Sequence, residues 1–248
     1  MPINPLAKSK NIALWTCPRS RSTLVTRAFE QLDEGIIFDE PFCAPYILHH
    51  GFNQPHRQEL LAFYKNDHDY IKVIEKITGD LPPGASFSFQ KHMSKHVLPD
   101  FGKEWMQDLH HVFLIRDPKE IVLSWHKVCG DVTAHDIGME VHYQIFKYVQ
   151  SFSQHTPLVL DSIDLVRNPE AFLRLICSHF NLNFSSRMLT WKAGLKDSNL
   201  LFSGALSSLA STWYEDVANS TGFLPYQEKE ISLTDNLKRL AEDCFPFY

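Results

Sequence analysis

Trp15-Thr16-Cys17-Pro18-Arg19-Ser20-Arg21-Ser22-Thr23-Leu24 sets two guanidiniums among side-chain hydroxyls where an apolar run gives way to helical periodicity. Backbone N–H groups in the first turn of a helix lack an internal partner and carry roughly half a positive charge, so a phosphate or sulfate is stabilised there. Arg19, Ser20, Arg21, Ser22 and Thr23 add side-chain donors to such an anion site. The competing reading is a surface turn with a Ser/Thr helix cap and two solvated arginines. Position favours the site, because the loop follows the first buried strand, where open α/β sheets place their ligands. Charge favours it too: Met1–Phe29 carries no acidic residue and a charge of +5, while the rest of the chain carries -10. The loop lacks the Gly-Lys-Ser/Thr ending of a magnesium-nucleotide triphosphatase.

A second group is Arg116-Asp117-Pro118 followed by Ser124, eight residues after the arginine. A guanidinium fork suits phosphate, since two parallel N–H bonds fix both distance and angle. Taken singly, Arg116 reads as a surface cation beside Asp117 and Ser124 as a mid-helix hydroxyl. Proton-accepting candidates are Glu40, in Asp39-Glu40-Pro41-Phe42, and His92 and His96, in Gln90-Lys91-His92-Met93-Ser94-Lys95-His96; the unperturbed imidazole pKa near 6.5 suits a general base. His92 and His96 stand four apart but lack the glutamate of His-Glu-x-x-His or another ligand cluster, so no metal site is expected. Trp15 could stack on a base, although an aromatic ending a buried strand is core more often. Lys192 and Lys196 read as solvated lysines. A phosphatase using Cys17 would need arginine at the position of Thr23 to complete Cys-x5-Arg.

The elements that position these residues follow from hydropathy. Ile12–Thr16, Ile36–Phe38, Ser86–Phe89, His111–Ile115 and Leu158–Leu160 are short apolar runs, each followed by helix-compatible sequence. Strands alternating with helices imply a mostly parallel sheet, and strands apolar throughout imply helices on both faces. The fold class expected is therefore α/β in three layers. Asp117-Pro118 and Asn168-Pro169 each supply a helix cap and a proline at the first helical position. The first helix is expected to run through Leu32, and another over Glu140–Phe152 with Val141, Ile145, Tyr148, Val149 and Phe152 on one face. Pro55–Ile77 reads as helical and Thr78–Gly84 as a turn, so about 43–84 is a helical insertion within one domain spanning 1–248. Ser198–Ser211 is a flap or an irregular connection. The final CFPFY reads as a docked tail, not a prenylation box.

With 248 residues, 44% hydrophobic and 21% charged, the chain is an ordinary globular protein. Such a chain buries about three quarters of its unfolded surface without needing a staple. A net charge of -5 argues against a general nucleic-acid binder. Five scattered cysteines suit a reducing compartment, which points to the cytoplasm, and no signal peptide or membrane span is expected. The sequence carries no signature of an oligomeric state.

Cys17-Pro18-Arg19-Ser20-Arg21-Ser22-Thr23-Leu24 resembles the 5′-phosphosulfate loop of the sulfotransferases that use 3′-phosphoadenosine 5′-phosphosulfate (PAPS), a family with a P-loop-like α/β fold. His111–Ser124 is similar to the strand and helix that bind the cofactor's 3′-phosphate. Leu189–Gly194 and Trp213-Tyr214–Phe223 resemble a bacterial and plant branch, so the likeness spans about residues 11 to 223. It implies sulfuryl transfer from PAPS to a hydroxyl or amine of a small-molecule acceptor, with release of PAP. By resemblance Arg19 stabilises the transferring group, Ser20–Thr23 hold the 5′ end, Arg116 and Ser124 hold the 3′-phosphate, and Glu40 is the first choice of base, before His92 and His96. The loop departs from the family at Arg21, where glycine is usual; glycine would tolerate a positive φ better than arginine. Two rival readings are a non-catalytic module that binds PAP or another anion, and the Cys17 phosphatase.

Overall fold

The computed structural model describes residues 10–50, 58, 61, 67–194, 215–228 and 230–248. Five strands form one sheet: β1 (Lys10–Thr16), β2 (Gly35–Asp39), β3 (Phe87–Met93), β4 (His110–Ile115) and β5 (Leu158–Asp161). Their spatial order is β2-β3-β1-β4-β5 and every pairing is parallel. The sequence expects all five strands within a few residues of their observed ends.

Alternation along the strands divides the core. Ile12 and Leu14 of β1, Phe87 and Phe89 of β3, and Val112 and Leu114 of β4 face Val25, Ala28 and Phe29 of helix α1 (Ser22–Phe29), together with Phe172, Leu173 and Ile176 of the helix Pro169–His179. Ala13, Trp15 and Phe113 face the opposite way, toward Tyr46 and Ile47 of α2 (Cys43–His50), Val73 and Ile77 of the helix Tyr70–Thr78, and Ile145 and Val149 of the helix Met139–Phe152. Both faces are thus covered, which is why the strands read as near-continuous apolar runs. Among the described residues no helix is long and apolar enough to cross a membrane.

Local chemistry sets the helix ends. Asp117 caps the helix Pro118–Cys129, its carboxylate accepting the Lys119 N–H at 2.7 Å, and Asn168 caps Pro169–His179 through the Ala171 N–H at 3.1 Å. Helix α1 ends at Phe29 rather than Leu32. The expected turn at Thr78–Gly84 lies outside any strand or helix beyond its first residue. The helix expected over Pro55–Ile77 is described from Tyr70 onward, and its earlier part lies mostly outside the described residues, as do Ser198–Ser211, Lys196, Trp213 and Tyr214.

Two features depart from the sequence reading. β3 continues four residues past Phe89 through polar Gln90, Lys91 and His92, all fully or almost fully buried. An amphipathic helix, Asp235–Cys244, packs Leu237, Ala241 and Cys244 against Ile121 and Val122 and carries the C-terminal residues.

Candidate active site

The carboxyl ends of β1, β2, β3 and β4 deliver the candidate residues to one edge of the sheet. β1 runs directly into the loop Cys17–Arg21, and Arg21 is the N-cap residue of α1, with φ 62° and ψ 11°. Arg19 also has a positive φ, 61°, and Glu40 has 51°. Three of the four described non-glycine residues in this region of backbone space are thus sequence-selected site residues. Such conformations are unfavourable for side-chain-bearing residues and gather where function constrains the chain. At Arg21 the turn that glycine would favour is kept despite the arginine.

The start of α1 is electrostatically open. No acidic residue lies in its first turn, and its N-cap residue, Arg21, makes no side-chain capping hydrogen bond. Among the described residues the buried Ser20 hydroxyl has no hydrogen-bond partner, which is costly unless something else supplies one. Ser22 and Thr23, the first residues of the helix, are also buried. These groups fit a tetrahedral anion on the helix axis.

Arg19, Arg21, Arg116 and Ser124 form one cluster beside this loop. Arg19 Nε donates to Ser124 Oγ at 3.0 Å, and Arg116 Nη1 donates to the Arg19 carbonyl. Glu120, which the sequence reading does not select, accepts from Arg21 Nη2 at 2.5 Å and from Arg116 Nε and Nη2 at 2.8 and 2.7 Å. Arg21 Nη1 also donates to Ser162 at 3.2 Å. Burial and then neighbouring Arg21 push the Arg116 pKa down to about 10. Burial raises the Glu120 pKa, but Arg116 and Arg21 outweigh it and hold the carboxyl below its usual range. Ser124, a mid-helix hydroxyl by sequence, is thereby joined to the loop through Arg19.

On the other flank, Lys91 of β3 is completely buried and links the loop to two carboxylates. Its ammonium lies 2.7 Å from Asp39 Oδ1 and 3.1 Å from Glu40 Oε1, and donates to Thr23 Oγ1 at 3.3 Å. Lys91 shares the face of Phe87 and Phe89, toward α1, which is why it reaches Thr23. Burial raises the Asp39 pKa to about 6, with Lys91 opposing the shift. The Lys91 pKa is raised, since its two carboxylates outweigh burial, which pushes the other way. Continuing the period-2 pattern from Phe87 through Phe89 to Lys91 is the signal that finds this lysine in sequence.

The histidines divide. His92 points to the opposite face of β3, stacked on Trp15 at 4.7 Å, with its Nε2 3.1 Å from Gln90 Oε1. Burial lowers its pKa to about 3, so it is a neutral core group facing away from Lys91 and the loop. His96 is also buried, but its Nδ1 lies 4.0 Å from Glu40 Oε2. Burial lowers its pKa to about 3 as well, against the opposing pull of Glu40. Trp15 is core, donating to His111 Nδ1 at 2.9 Å. Lys192 is exposed, and its carbonyl accepts from Arg27 at 2.7 Å. The Cys17 thiol is buried against Ile121, Val122 and Cys244, and burial pushes its pKa well up; a thiol held in that form is a poor phosphatase nucleophile. Glu40, Cys43 and His96 bring possible ligand atoms within 4.8 Å of one another. Lys91 on Glu40 and the field of Lys95 oppose a dication there.

A family model described as "Sulfotransferase domain" matches residues 10–248. The chain belongs to this sulfotransferase family. The sulfotransferase domain is 32% identical over 237 residues to "Branched-chain-amino-acid aminotransferase-like protein 2" of Arabidopsis thaliana, covering 96% of this chain and 40% of that protein. It is 30% identical over 246 residues to the like-named protein 1, covering 98% of this chain and 42% of that protein. The chain therefore spans about two fifths of the length of these relatives. In fold, the sulfotransferase domain is similar to mouse sulfotransferase SULT7A1 complexed with PAP, with a TM-score of 0.54 at 12% identity over 96% of this chain and 84% of that one. It is also similar to the sulfotransferase domain from the curacin biosynthetic pathway, with a TM-score of 0.52 at 14% identity over 95% and 97%.

Proposed function

We propose that this domain transfers a sulfuryl group from PAPS to a hydroxyl or amine of a small-molecule acceptor and releases PAP. The observation that carries the reading is the convergence of Arg19, Arg21, Arg116 and Ser124 beside the unpartnered Ser20 hydroxyl at the start of α1, with Glu40 on the other flank.

In this reading PAPS supplies an activated sulfuryl group whose bond to the 5′-phosphate breaks as the acceptor oxygen or nitrogen bonds to sulfur. Arg116 and Ser124 hold the 3′-phosphate. The α1 N-terminus, with Ser20, Ser22 and Thr23, binds the 5′ end. Arg19 balances charge growing on the departing phosphate, and Lys91, adjacent to Thr23, adds a second cation on that flank. Positioning and charge stabilisation then dominate, as in phosphoryl transfer. Glu40 takes the acceptor's proton, with His96 Nδ1 standing 4.0 Å from its carboxylate.

The reading is tested by thermal unfolding with PAP, ADP and AMP. At about 100 times its dissociation constant PAP is expected to stabilise the fold by about 2.7 kcal/mol, well beyond AMP at equal concentration. Arg116→Ala is expected to weaken PAP binding by about 10- to 150-fold, or about 1.5–3 kcal/mol, read by calorimetric titration. Equal stabilisation by PAP and AMP would overturn the choice of donor. Tight PAP binding with no transfer in a broad acceptor panel would favour a binding module instead.

A further inference from the structure

We propose that Glu120 is a resident counter-anion, occupying on Arg116 and Arg21 the place that a ligand's terminal phosphate takes, so that binding exchanges one anion for another. This rests on the proposed use of Arg116 for a 3′-phosphate and adds a residue that sets how selectively that phosphate is held.

The argument starts from donor bookkeeping on Arg116. All three of its guanidinium nitrogens already donate to protein oxygens: Nε and Nη2 to Glu120 Oε2, and Nη1 to the Arg19 carbonyl. The Nε–Nη2 edge is the one that grips an oxyanion with two parallel bonds. Glu120 sits on that edge, so a phosphate can use it only if the carboxylate withdraws.

Glu120 is placed to withdraw. Its side chain is one-fifth exposed, and it stands in the first turn of Pro118–Cys129, where the helix dipole keeps a carboxylate favourable after it leaves the arginines. Arg21 balances the ledger of charge. It keeps a left-handed backbone that glycine would adopt more readily, and its guanidinium is held by Glu120 and Ser162. The guanidiniums of Arg116 and Arg21 thus share the Glu120 carboxylate, with Arg19 near enough to Arg116 to add to the positive field. When Glu120 swings out, these cations meet a dianionic phosphate, whereas a monoanion gains less from the exchange. The depressed Glu120 pKa agrees with an ionised carboxylate seated between Arg116 and Arg21.

Calorimetric titration of PAP and AMP into the whole chain tests this. Glu120→Gln keeps the size and an acceptor oxygen but removes the charge. It is expected to tighten PAP binding about tenfold, in line with a charge-assisted contact no longer competing, and to change AMP binding less than about twofold. Glu120→Asp, whose shorter carboxylate cannot span both arginines, is expected to tighten PAP by a smaller factor and decides the matter if the glutamine variant does not fold. Unchanged or weakened PAP binding in a folded variant overturns the proposal and makes Glu120 an orienting partner of Arg116. Equal tightening of PAP and AMP overturns it too, by separating Glu120 from the terminal phosphate. If the wild-type chain binds no PAP, the donor assignment fails and this inference with it.

Discussion

Glu40→Gln is expected to lower turnover by about 10²- to 10⁴-fold while PAP affinity stays within about threefold, the loss typical of removing a general base. Glutamine preserves shape and hydrogen bonding but cannot accept the acceptor's proton. The effect should be large because Glu40 is held rigidly: its N–H donates to the Lys91 carbonyl at 2.8 Å, and its own carbonyl accepts the Cys43 N–H at 2.9 Å. Single-turnover release of PAP from bound PAPS, with an acceptor drawn from a panel of alcohols, phenols, sugars and amines, measures the rate. His92→Ala is the informative comparison. Its ring stacks on Trp15 and packs tilted against Phe42, which predicts a loss of stability with a much smaller change in rate. A rate loss confined to His92→Ala would transfer the role of base to that residue.

Lys91→Met is expected to destabilise the fold by about 3–5 kcal/mol, because it strands two buried carboxylates without their cation. The loss should depend on pH. Asp39 already has a folded pKa of about 6, above the usual 3.8, so the folded state binds its proton more tightly and this group's contribution becomes less favourable as pH rises between those values. Removing Lys91, which opposes the shift, raises the Asp39 carboxyl further and extends the window upward. Urea midpoints should therefore show the variant closest to wild type near about pH 5 and furthest from it near about pH 8. Asp39→Asn added to Lys91→Met should recover part of the loss, the coupling expected of residues in contact. A midpoint independent of pH, or a loss below about 1 kcal/mol, would mean the ion cluster is more solvated than its burial implies.

The strands were legible because helices cover the sheet on both sides, so burial alone writes apolar runs such as Ile12–Trp15 and Val112–Ile115 into the sequence. The caps at Asp117 and Asn168 were legible because capping needs only local chemistry. The end of β3 was not, since Gln90, Lys91 and His92 look solvated and are buried only because partners from β2, the helix Tyr70–Thr78 and α1 reach them. For the same reason the sequence's ranking of His92 ahead of His96 had no packing information behind it. A strand sends His92 into the aromatic core, and a following 3₁₀ turn brings His96 to Glu40. Glu120 reads as an ordinary first-turn acid, and only the fold brings Arg21, ninety-nine positions away, onto it.

The strand order carries a consequence for how the molecule is made. β1 lies in the middle of the sheet, between β3 and β4, so its two neighbours arrive only with Phe87–Met93 and His110–Ile115. Until about a hundred further residues have left the ribosome, its backbone edges and the apolar sides of Ile12–Trp15 have nothing to close on. Distant parallel pairings of this kind are slow to form and prone to aggregation meanwhile. The anion loop at the end of β1 is thus synthesised ahead of the other four strands of this sheet and, by geometry, is among the last parts of it to acquire a shape.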